Sequence, residues 1–181
     1  MPNFVALLRG INVGTAKRVS MAELRKTLEG LGYEDVATLL NSGNVVFKAD
    51  RASPAKLAAA IRSAIEKRFG IAVPVIVKSA SEFSRVVEGD PFIGKDVNHS
   101  LVLVAFAQDA KGLSSLKEIA PLATSPDTFV MKESAAYLHV PRGSMKSKAA
   151  VALLGKPGRT ATTRNWATTL KLKALLERMG K

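Results

Sequence analysis

The segment Arg9-Gly10-Ile11-Asn12-Val13-Gly14 brings a guanidinium, an amide and two glycines together within six positions. Glycine loops turn backbone N–H groups outward and arginine adds a planar two-pronged donor, a combination that suits phosphate or carboxylate. A second polar turn, Asn41-Ser42-Gly43-Asn44, carries amides and a hydroxyl. Around Pro141–Lys148, Arg142 and Lys146 stand with hydroxyls at an expected helix start, where cations oppose the helix dipole and a bound anion would reconcile them. Thr163, Arg164 and Asn165 repeat the theme ahead of Trp166. The candidate anion-binding set is Arg9, Gly10, Asn12, Gly14, Asn41, Ser42, Asn44, Arg142, Lys146, Thr163, Arg164 and Asn165. Each residue also satisfies a plainer demand. Gly10 and Gly14 suit a tight strand-to-helix connection, the asparagines suit turns, Thr163 suits a helix N-cap and Trp166 suits a core anchor.

Groups for catalysis are sparse. His99 lies near Asp96 and Asp90 in sequence and could act with either as a general base, but no nucleophile is placed beside it. His139 alternates with Tyr137 on a strand, which suits a half-buried structural histidine, and Glu34-Asp35 read as solvated turn residues. Paired acids for hydrolysis are not visible. The chain has no cysteine and two distant histidines, so neither a metal site nor a cofactor is expected. Gly10–Gly14 lacks the spacing of a dinucleotide fingerprint, and there is no phosphate-binding GxxxxGK[ST]. The first strand sets Val5, Leu7 and Arg9 on one face and Phe4, Ala6 and Leu8 on the other, and residues 44–48 offer only Phe47, so an aromatic RNA-binding sheet is not expected.

Charge points outward to partners. The 181 residues carry a net charge of +12, and residues 142–181 hold ten Lys/Arg against Glu177 alone. Such a bias favours polyanionic or phosphorylated ligands, and it also serves solubility. The longest apolar run, residues 101–107, falls far short of the roughly 20 residues that span a bilayer. No basic-then-apolar leader opens the sequence, so no signal peptide or membrane partner is expected, and the cytoplasm is the expected compartment.

These residues must be positioned by elements that the pattern predicts. Residues 4–9 form an apolar strand. Ser20 and Glu23 make a capping box for a helix carrying Met21, Leu24, Leu28 and Leu31 at helical spacing. Residues 36–40 and 44–48 form a hairpin across the Asn41–Asn44 turn. Ser53-Pro54 opens a second helix that Gly70 closes, and residues 71–78 form a strand. The order βαββαβ is that of a ferredoxin-like unit. It sets the end of the first strand beside the 41–44 turn, so the two glycine-bearing loops should be neighbours.

The second half echoes the first. Ser79 and Glu82 form another capping box, residues 101–107 a central strand, 111–120 a helix, 128–132 and 135–140 a hairpin, and 145–154 a helix. Thr163 is the expected cap of a last helix with a broad apolar stripe. The expected fold class is α+β with two subdomains: residues 1–78, ferredoxin-like, and residues 100–181, a related βαββα unit with an extra C-terminal helix. Residues 79–99 connect them.

Three separated motifs, FVALLRGINVG, VSMAELRKTLEGLGYEDVATLLNSGNVVF and TTRNWATTLKL, resemble the bacterial family gathered as domain of unknown function 1697. The resemblance implies stand-alone cytoplasmic proteins of this length with two α+β subdomains, and it brings no established activity, cofactor or catalytic residue. Its motif positions fall on Arg9, Gly10, Asn12, Gly14, Ser42, Gly43, Asn44, Thr163, Arg164, Asn165 and Trp166, while Thr15-Ala16 stands where such proteins commonly carry a second glycine. The leading expectation is a non-enzymatic module that binds phosphate-bearing ligands, nucleic acid among them. The alternatives are an enzyme acting on a small phosphorylated or carboxylated metabolite, with Ser42 or His99 doing the chemistry, and a protein–protein adaptor. Oligomeric state is not readable from the sequence.

Overall fold

A computed structural model describes residues 1–180. The chain forms two compact units, residues 1–83 with 172–180, and residues 84–171. In the first unit the elements are β1 (Asn3–Leu8), α1 (Met21–Glu29), β2 (Glu34–Leu39), β3 (Asn44–Lys48), α2 (Pro54–Phe69) and β4 (Val75–Ser79). The sheet order is β2-β3-β1-β4 with antiparallel neighbours throughout. This is the ferredoxin-like arrangement that the element order predicts.

Period-two alternation decides which face is packed. Phe4, Ala6 and Leu8 of β1 join Val45 and Phe47 of β3 and Val75 and Val77 of β4 in one core with Leu24, Leu28, Ile61 and Ile65 of the helices. Phe47 stacks against Phe4 at 5.7 Å and Tyr33 at 4.8 Å between ring centroids. Each such fully buried side chain contributes roughly 1.5–3 kcal/mol. The caps follow the sequence signals. Ser20 and Ser53 accept N–H groups of Glu23 and Lys56, Pro54 occupies the first turn, and Gly70 ends α2 at φ 67°. The strand expected over 71–78 begins only at Val75, because residues 71–74 make no ladder. There the carbonyl of Pro74 accepts Arg9 N–H at 3.0 Å.

β4 runs straight into α3 (Ala80–Glu88) through both arms of a capping box. Ser79 N–H donates to Glu82 Oε2 at 2.8 Å, and Glu82 N–H donates to Ser79 Oγ at 3.2 Å. Residues 79–99 are thus divided between the units, 79–83 with the first and 84–99 with the second.

The second unit contains β5 (Val102–Ala107), α4 (Ala110–Ser114) continuing as a 3-10 turn to Leu122, β6 (Thr128–Met131), β7 (Ala136–His139), α5 (Lys148–Leu154), β8 (Ala161–Asn165) and the start of α6 (Trp166–Met179). Its sheet order, β6-β7-β5-β8, repeats that of the first unit strand for strand. It therefore has one strand more than the βαββα pattern expected. β8 pairs with β5 from Leu103↔Asn165 to Ala107↔Ala161. Its core gathers Ala105, Ala107, Ala136 and Leu138 beneath Leu116, Ile119, Ala150 and Leu153. The helix expected over 145–154 starts later, at Lys148, because Ser147 caps it by accepting Ala150 N–H at 3.0 Å. Among the described residues no helix is long and apolar enough to cross a membrane.

Candidate functional site

The two loops of the first unit meet. Leu8 N–H donates to Gly43 O at 2.8 Å, and Asn12 Nδ2 donates to Asn41 O at 2.8 Å. Gly10, Asn12, Gly14 and Lys17 all take left-handed φ values between 49° and 72°, so the loop after β1 coils tightly. Asn12 is its clamp, donating also to Val19 O and accepting Val19 N–H, both at 2.9 Å. Asn44 is fully buried and donates to Leu39 O and Ser42 Oγ. The amides of Asn12 and Asn44 therefore hold the loops together. Positive φ in the hairpin falls on Leu40 and Gly43, and not on the asparagines that the turn chemistry pointed to.

These contacts shape a cleft of about 720 Å³ lined by Asn12, Arg18, Val19, Ser20, Met21, Asn41 and Phe69. It opens at the start of α1, where the first N–H groups of a helix have no intrahelical partner. Arg18 is exposed in the loop, and the neighbouring Lys17 gives its ammonium to Ala72 O at 3.3 Å. Arg9 is half-buried, and burial holds its guanidinium below the ordinary arginine value. Exposed Gly10 and Gly14 lie on the same loop.

The second-unit candidates divide differently. Arg142 is exposed and reaches Ser125 O at 3.4 Å, while Lys146 ends a 3-10 turn ahead of the Ser147 cap, so neither sits inside a helix N-terminus. Thr163, Arg164 and Asn165 belong to β8. Thr163 is consequently not the cap of α6, and its buried hydroxyl has no hydrogen-bond partner. Asn165 caps α6, accepting Thr168 N–H at 2.8 Å. Arg164 is buried and donates from Nη1 to Thr162 Oγ1 and Thr163 O, each at 2.9 Å. Burial pushes its pKa down to about 10.

Val104 is paired with Tyr137 on one side and Arg164 on the other, which sets all three on one face of the second sheet. His139, two residues beyond Tyr137, shares that face. Residues 86–99 lie across it. Tyr137 Oη donates to Val86 O, and the Phe92 ring stands 5.7 Å from that of His139. Here the structure makes a pair that sequence spacing only hinted at: His99 Nε2 is 2.7 Å from Asp90 Oδ2, and the His99 ring is 5.5 Å from Trp166. Asp96, the other possible partner, is exposed. Among the described residues no three His, Asp, Glu or Cys side chains group closely enough to hold a metal.

Comparison with known proteins agrees with this architecture. A conserved bacterial protein from Streptococcus pneumoniae, SP0830, has a solved structure that matches 97% of this chain and 98% of its own, with a TM-score of 0.81 and 24% identity, and so shares the fold. The search of curated proteins found no match. The family model described as a protein of unknown function, DUF1697, matches residues 1–137, and it follows that the chain belongs to that family.

Proposed function

We propose that this protein binds phosphate-bearing ligands, the nucleic-acid backbone being the polymeric case, at the cleft on the edge of its first unit. The observation that carries the reading is the cleft itself. Arg18, the start of α1 at Ser20 and Met21, and Asn12 and Asn41 from the two loops surround a space of about 720 Å³. Helix starts and arginines favour anions for the same electrostatic reason, since both present N–H donors carrying positive charge. The acidic group of the first turn, Glu23, is paired with Arg68 and Lys26, which reduces its opposition to an anion. A net charge of +12 adds attraction at long range. In this reading the protein works in the cytoplasm, where a chain without cysteine loses nothing to reduction.

Fluorescence titration with single-stranded RNA, single-stranded DNA and duplex DNA at low and moderate salt tests it, with inorganic phosphate and nucleotides screened by thermal shift. Counterion release predicts that polymer affinity falls steeply with salt. Arg18→Ala should weaken binding about tenfold, the ~1.4 kcal/mol of one charge-assisted hydrogen bond. Absence of binding to every probe at low salt ends the proposal.

A further inference from the structure

We propose that helix α5 and the turns at its two ends form a peripheral docking surface for anionic lipid bilayers. Ala149, Ala150 and Leu153 hold the helix onto the second core. Helical periodicity sets Lys148, Val151 and Leu154 on the opposite side, which faces solvent. Val151 is 59% exposed, Leu154 56% and Met145, in the 3-10 turn just before the helix, 95%. Lone apolar side chains are ordinary on a protein surface. Three on one seven-residue helix and its lead-in mark a face that something apolar covers.

What covers it follows from the surrounding charge. Lys146 and Lys148 stand at the N-terminal end of α5, Lys156 and Arg159 beyond its C-terminal end, and all four are exposed. Arg159 Nη1 donates to Lys156 O at 3.2 Å, which folds the second pair into one turn at the helix end. No carboxylate side chain occurs between Glu133 and Glu177. The segment packed beside α5, Ser115–Leu122, contributes Lys117 and Glu118, whose charges cancel. Aliphatic tips bracketed by cations match a bilayer, which offers acyl chains beneath anionic headgroups. A nucleic-acid backbone satisfies the cations but leaves Met145, Val151 and Leu154 against phosphate, so the apolar side chains favour lipid. A helix of seven residues is too short to span the hydrocarbon core, and α5 lies along the interface. Such contact is invisible to a search for spans and leaders, and it departs from the expectation of no membrane partner. The surface lies in the second unit and shares no residue with the first unit's cleft, so the two readings fail separately.

The test is co-sedimentation of the full chain with vesicles of equal parts phosphatidylcholine and phosphatidylserine, with pure phosphatidylcholine vesicles as the neutral control. The chain should pellet with the anionic vesicles only. Val151→Ser combined with Leu154→Ser should weaken that binding by at least about tenfold while duplex DNA binding stays as in the wild type. Lys146→Gln combined with Lys148→Gln should weaken it about 25-fold, since each cation near an anionic surface contributes roughly fivefold. All four side chains are exposed, so thermal melts of both variants should match the wild type. The chain has no cysteine, and Val151→Cys therefore gives a single attachment point for an environment-sensitive fluorophore. Its emission should rise and shift to the blue on anionic vesicles. Failure to pellet with anionic vesicles, or an unchanged fluorophore, overturns the proposal. Equal vesicle binding by the serine variant also overturns it, and loss of duplex DNA binding in that variant would assign the face to nucleic acid instead.

Discussion

A Cβ added to Gly43 would stand 2.6 Å from the Cβ of Leu8, whose N–H already donates to the Gly43 carbonyl. The two residues are pinned from both sides: φ at Gly43 is +86°, and Leu8 is fully buried. Gly43→Ala must therefore strain the backbone and push into the first core at once, at a cost of about 2–4 kcal/mol. Urea denaturation should show the midpoint falling with the slope unchanged.

Asn12 makes three hydrogen bonds that join the loop after β1 to Val19 and to the hairpin. Its φ of 54° is one that alanine adopts reluctantly and glycine freely. Asn12→Ala should lose about 4–5 kcal/mol, from roughly 1 kcal/mol for each of the three bonds and about 1–2 kcal/mol for the left-handed backbone. Asn12→Gly should lose less, since only the bonds go. Equal losses in the two variants would show that the left-handed backbone contributes nothing.

The Arg68 guanidinium, and after it the Lys26 ammonium, hold the Glu23 carboxyl below its ordinary 4.5. A lowered carboxyl pKa stabilises the fold above the unfolded value, and that contribution is lost as pH falls through the folded value. Thermal melts from pH 7 to pH 2 should separate wild type from Glu23→Gln at neutral pH and bring the curves together in acid. Parallel curves would remove the linkage.

Burial pushes Tyr137 up to about 12, with Ser134 opposing and Asp90 adding to the shift. For an acid whose neutral form is favoured, the stabilisation is complete below the unfolded value near 10 and is lost as pH rises through about 12. Ultraviolet titration should find no phenolate from Tyr137 near pH 10 in the folded protein. Tyr137→Phe isolates that signal, and urea should return it to the ordinary range.

Local rules carried far where one residue decides one bond. Ser20, Ser53 with Pro54, Gly70 and the Ser79–Glu82 box all cap as their types demand, and the βαββαβ order was enough to set the two loops of the first unit side by side. β8 was not legible. Ala-Thr-Thr-Arg-Asn mixes hydroxyls and charge like a helix approach, and only the ladder to β5 makes it a strand. That ladder moved the cap of α6 from Thr163 to Asn165. Asn12 and Asn44 give their amides to the loops for a related reason. In a coiled loop the backbone's own demand for partners claims the nearest amides. His99 and Asp90 are nine residues apart on an irregular stretch, where no periodicity links them, so their pairing emerges only in three dimensions.

The later turns of α6 belong with the first unit, where Gly180 comes close to Asn3 at the start of β1. During synthesis this imposes an order. The unit whose strands leave the ribosome first is the last to be completed, because it waits for residues made after the whole of its sibling.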